Sequence, residues 1–102
     1  MNDENIEFGS VTEKLLAETA KMRWHELQRF FAQGSVLVVD PSLDLVAVAV
    51  LFAEDKAEKI EPLLSNLTVR QPSNDQARAW YESDSELWSV VVAPYVLVQD
   101  KP

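Results

Sequence analysis

Hydrophobic positions are spread unevenly along the chain. Segment 35–53 (SVLVVDPSLDLVAVAVLFA) has 14 hydrophobic residues in 19, and segment 87–99 (LWSVVVAPYVLVQ) has 10 in 13. These two blocks hold half of all the hydrophobic residues and only two charges, Asp40 and Asp44. Short, uniformly apolar runs rich in β-branched valine predict buried strands. Segments 35–40 and 45–53 therefore read as the two strands of a hairpin. Asp40-Pro41-Ser42-Leu43-Asp44 lies between them, with Asp first and Pro second as a type I turn prefers. Segment 87–99 reads as a last strand or a strand pair interrupted at Pro94, which cannot donate to a ladder.

Elsewhere the period is helical. Ser10-Val-Thr-Glu13 is a capping-box pattern. Leu16, Ala20, Trp24, Leu27 and Phe31 then recur at helical spacing, so one helix is expected as far as Gly34, with no Gly or Pro to mark a bend near Met22-Arg23. Asp55-Lys-Ala-Glu58 offers a second cap, before an apolar stripe of Ala57, Ile60, Leu64 and Leu67 that Pro62 should kink or restart. Ser73-Asn-Asp-Gln76 opens a further helix through about Tyr81. Residues 67–70 read as a short strand or an exit, and 83–86 as a polar loop. Residues 1–9 read as a flexible tail. The whole predicts one α+β domain over 10–102: an antiparallel sheet of three or four strands, with about three helices packed against it.

Composition narrows the partners. With 17 acidic and 9 basic residues the formal net charge is -8, and each half of the chain contributes equally. No basic stripe exists to meet a nucleic-acid backbone or an anionic membrane, so neither is expected as a partner. The chain has no cysteine and one histidine, His25. Disulfides, thiolate metal sites and thiol catalysis are excluded. His25 reads as a solvated helix residue, since adjacent Glu26 does not face it. The two glycines, Gly9 and Gly34, belong to no phosphate-binding loop, and no G-x-S-x-G is present. No apolar run reaches the roughly 18 residues of a membrane span and no signal-peptide pattern opens the chain. A cytoplasmic protein without cofactor or metal is expected.

Several residues carry a resemblance. Trp24-x-x-Leu27, Ala32-x-Gly34, Val39-Asp40-Pro41-Ser42-Leu43-Asp44-Leu45-Val46, Pro72-x-x-x-Gln76-Ala77-x-x-Trp80 and the closing Pro94-Tyr95-Val96-Leu97-Val98-Gln99 resemble a small bacterial family, domain of unknown function 2288. The likeness covers roughly residues 12–99, and the DPSLDLV stretch is its most specific part. It implies a stand-alone bacterial cytoplasmic protein, and no activity or catalytic residue.

Two function classes follow. The first is a non-catalytic interaction or self-association module using exposed aromatic and apolar surface; Tyr81, Trp88 and Tyr95 are the candidate contacts, while Trp24 and Trp80 suit a core. Both faces of 45–52 and of 90–98 are apolar, so both need cover. Either the helices divide between the faces, or a second copy covers one, which makes a homodimer the expected partner arrangement. The second class is a small-molecule or metal site, enzymatic or not, built on Asp40 and Asp44. Turn chemistry accounts for both carboxylates without a ligand, and the usual chemical tools are absent, so the non-enzymatic class is preferred.

Overall fold

The computed structural model describes residues 10–101; the expected tail over 1–9 lies outside them. The elements in chain order are α1 (Val11–Glu18), β1 (Ala20–Arg23), α2 (Trp24–Ala32), β2 (Val36–Val39), α3 (Leu45–Ala53), α4 (Ala57–Ser65), β3 (Val69–Arg70), α5 (Asn74–Ser83), β4 (Glu86–Val92) and β5 (Tyr95–Gln99). The strands form one five-stranded sheet in the order β1-β4-β5-β2-β3. The sheet is mixed: β2 runs parallel to β5, with Val36 opposite Val96, and the other pairs are antiparallel. The expected class of sheet with packed helices is found, with five helices and five strands among the described residues in place of three and three or four.

Two corrections explain the difference. Segment 45–53 is helix α3, not the second strand of a hairpin. The Asp44 carboxylate accepts hydrogen bonds from the backbone N–H groups of Val46 and Ala47, at 2.9 and 3.2 Å. This is the N-cap geometry that satisfies free amides at a helix start. The buried residues, Leu45, Val48 and Ala49, are spaced i, i+3, i+4. A run apolar on every side carries no period, so valine's strand preference yielded to the cap and to burial against the sheet.

The expected helix from Ser10 to Gly34 is also divided. Ser10 caps α1 as the pattern suggested, its hydroxyl accepting from the Glu13 amide at 3.1 Å. The Thr19 hydroxyl then donates to the Leu15 carbonyl at 2.7 Å and closes the helix. Ala20–Arg23 leave it to pair with β4, Ala20 opposite Ser89 and Arg23 opposite Glu86. A second box opens α2, where the Arg23 N–H donates to Glu26 at 3.2 Å. In consequence Leu16, placed on the expected stripe, is 62% exposed, and Leu15 is the buried residue.

The helices divide between the two faces of the sheet. Leu15 of α1 and Leu45, Val48 and Ala49 of α3 pack on Leu37, Val39, Val90 and Leu97, with Leu63 of α4 joining at the margin. Trp24 and Leu27 of α2 and Ala77 and Trp80 of α5 pack on Val36, Val38, Leu87, Val96 and Val98. Alternate strand residues thus feed two cores. Both faces thus carry helices from within the chain, with Val91 of β4 left 55% exposed.

Candidate functional site

The five candidate residues fall at three places. Asp40 and Asp44 bound the loop that joins β2 to α3. Asp40 turns on itself, its carboxylate accepting from the Ser42 N–H at 2.9 Å. Hydrogen bonding by Ser42, side chain and backbone, with a contribution from the Arg70 charge, holds the Asp40 carboxyl below the usual carboxylate range. Asp44 is spent on the α3 cap. Sequence reasoning missed the residue that fixes this loop. Gln99 on β5 is buried, and its side-chain amide donates to the Asp40 carbonyl at 3.0 Å and the Leu43 carbonyl at 2.8 Å. Its only signal was position, a polar residue ending an apolar strand.

Trp88 and Asp44 do come together. They line a cavity of about 520 Å³ with Leu16, Leu43, Gln99 and Lys101. The Lys21 ammonium lies over the Trp88 ring, 5.3 Å from its centroid. Asp40 does not line this cavity. Among the described residues no group of three or more His, Asp or Glu could hold a metal ion.

Tyr81 lies apart from them, next to α2, and is 53% exposed. The His25 ring stacks on it at 4.8 Å, and His25 Nε2 sits 3.1 Å from the Tyr81 carbonyl oxygen. Asp84 ties the two helices together. It terminates α5 in the left-handed region, with φ of 46°. One carboxylate oxygen accepts the His25 N–H at 3.1 Å, at the start of α2, and the other pairs with the Arg23 guanidinium. One residue therefore ends α5 and caps α2. Neither Arg23 nor Asp84 was legible as a partner, since 61 residues separate them.

This knot has a pH consequence. The His25 backbone N–H foremost, then Arg23, holds the Asp84 carboxyl below the usual range. The unfolded chain takes up protons first, so the stabilisation from Asp84 and Asp40 is complete above the ordinary carboxylate range. It is lost as the pH falls through the lower folded-state values. Thermal melts should be flat from neutral pH to about 5 and fall below about 4. In Asp84→Asn, which keeps the left-handed turn, the acid limb should be shallower and the neutral-pH Tm lower. An unchanged acid limb would remove Asp84 from this role.

Tyr95 forms part of the third place. The tip of the β4–β5 hairpin, where the Ala93–Pro94 peptide is cis, faces the junction of α3 and α4. Between them lies a groove of about 570 Å³ walled by Phe52, Ile60, Leu64 and Tyr95. Phe52 meets Tyr95 edge-on at 5.8 Å and 76°. Asp55 and Glu61 also line the groove. The expected Asp55 cap is corrected here: Asp55 is in the left-handed region, with φ of 56°, and Lys56 occupies the cap position without a side-chain bond. The helix continues through Pro62, and none of its nine residues is buried.

Leu67, just beyond α4, has φ of 64° and is 64% exposed. A leucine there bears a left-handed backbone cost without burying its side chain. Leu67→Gly should raise stability by about 0.5–1 kcal/mol in urea denaturation; a loss would show that the leucine packs usefully in the monomer.

No helix among the described residues is long and apolar enough to cross a membrane. No match was found among curated proteins. The fold is similar to the NMR solution structure of PA1075 from Pseudomonas aeruginosa, at 43% identity and a TM-score of 0.78, over 96% of this chain and 91% of that one. The family model described as "Protein of unknown function (DUF2288)" matches residues 10–100, and the loop, hairpin and helix residues described above all lie within it. On that match the chain belongs to the DUF2288 family.

Proposed function

We propose that the protein is a non-catalytic interaction module and that its contact surface is the apolar groove between α4 and the β4–β5 hairpin, extended by Leu67. The observation that carries the reading is α4 itself: a helix with no buried residue, whose Leu64 is 42% exposed beside Tyr95 at 37%. An apolar helix face left partly uncovered next to an aromatic is the usual make-up of a contact patch. The carboxylates of the β2–α3 loop support the same preference, since backbone amides already engage them. Helices lie on both faces of the sheet and leave Val91 of β4 exposed, so the contact surface is proposed at the larger apolar groove beside α4.

The test is site-directed photocrosslinking. A photoreactive residue at Leu64 or Tyr95 should give a discrete adduct in native lysate, absent when the residue is placed at exposed Arg78. Adducts equally abundant from Arg78, or none from the groove, would overturn the reading.

A second reading has its own observation. Asp44 and Trp88 share a cavity, so a small ligand there would be felt by the Trp88 indole. Metabolite mixtures that quench Trp88 fluorescence in a Trp24→Phe/Trp80→Phe background, and cease to in Asp44→Ala, would favour it. Quenching indifferent to Asp44 would count against it.

A further inference from the structure

We infer that the occupant of the groove is a polypeptide segment carrying an apolar or aromatic anchor flanked by lysine or arginine. This rests on the interaction-module reading and adds the chemistry of the partner.

The anchor follows from the walls. Phe52, Ile60, Leu64 and Tyr95 leave an apolar trough open on one side, of a volume that takes one or two large side chains. Exposed Leu67 follows the α4 terminus, its N–H donating to the carbonyl of the groove residue Leu64, so further apolar surface lies close to the groove. An extended segment fits such a surface better than a compact small molecule.

The flanking charge follows from the rim. Among the described residues, the charged ones lining the groove are Asp55 and Glu61, both carboxylates. The lysines of this region, Lys56 and Lys59, are not among its lining residues. A cation beside the anchor would meet both carboxylates, and the chain's net charge of -8 would speed its approach. A second copy docking through the same groove would set Asp55 and Glu61 against their like. Nucleic acid and anionic membrane fail for the same reason.

The experiment is selection from a random 12-residue peptide library displayed on phage, using the full chain as bait. Hits are re-tested on Leu64→Ser/Tyr95→Ser and on Asp55→Asn/Glu61→Gln. Both pairs change exposed side chains, and asparagine tolerates the left-handed backbone at position 55; circular dichroism checks that each variant is folded. The expected hits hold Leu, Phe or Trp next to Lys or Arg. They lose binding on the Ser variant and weaken about tenfold on the neutralised one, with the same loss in high salt.

Groove-dependent hits that are neutral or acidic, or indifferent to Asp55→Asn/Glu61→Gln, would overturn the inference and leave the interaction reading standing. No hits dependent on Leu64 and Tyr95 would overturn both. Sedimentation of the free chain as a dimer dissociated by Leu64→Ser would make a second copy the occupant and overturn the inference alone.

Discussion

Trp24→Ala should destabilise the protein by about 3–5 kcal/mol. Trp24 is fully buried at the start of α2. Its ring lies 5.2 Å from that of Trp80 and 5.6 Å from that of Phe31, so it joins α2 to α5 beneath the sheet. Truncation opens a cavity the helices cannot close without leaving Val36, Val38 and Val96. For a domain of this size, whose total stability is of order 5–15 kcal/mol, that loss takes much of the margin. Trp24→Phe should behave quite differently. Among the described residues the buried indole Nε1 of Trp24 has no hydrogen-bond partner, so phenylalanine removes an unsatisfied donor along with some volume. The two effects oppose, and the loss should stay within about 1.5 kcal/mol. Urea denaturation followed by circular dichroism separates the cases. Equal, large losses in both variants would mean that the indole N–H does contribute.

Gln99→Leu should cost about 2–4 kcal/mol although shape is largely kept, because the carbonyls of Asp40 and Leu43 each lose a buried donor. The effect should be local as well as global. With the loop untied, Asp44 is held less firmly, and the amides of Val46 and Ala47 should exchange hydrogen faster than those at the far end of α3. Asp44→Ala alone should cost about 1 kcal/mol as a lost N-cap. The double variant should cost less than the sum, since both act through one loop. Additive losses and unchanged exchange would separate Gln99 from the cap.

These residues also show what could be read in advance. β2, the last two strands, and the caps at Ser10 and Ser73 were legible because each rests on local pattern. So was the need to cover both faces of 90–98, between which the helices divide while leaving Val91 exposed; the same argument from 45–52 does not hold, because that segment is a helix. Segment 45–53 was misread because a run apolar on all sides has no period, and its deciding signal was one residue outside it, Asp44. β1 was invisible for a different reason: its ladder partner begins 63 residues later at Glu86, and no pattern within Ala20–Arg23 states that. At the candidate sites, Tyr95 lines the groove, whereas Trp88 packs partly buried against the core beneath α1 and α3. Gln99, Asp84 and the lining carboxylates Asp55 and Glu61 acquire their roles only through tertiary neighbours. Leu64 and Leu67 were expected to be buried on a helical stripe, and they lie exposed.

The central claim is that the groove at α4 is the binding surface. Its most direct test is a titration of uniformly ¹⁵N-labelled protein with a 12-residue peptide holding one Phe flanked by lysines. Saturable amide shifts should centre on Phe52, Ile60, Leu64 and Tyr95 and vanish in Tyr95→Ser. Shifts centred instead on Leu43, Asp44 and Trp88, or no saturable shifts at all, would contradict it.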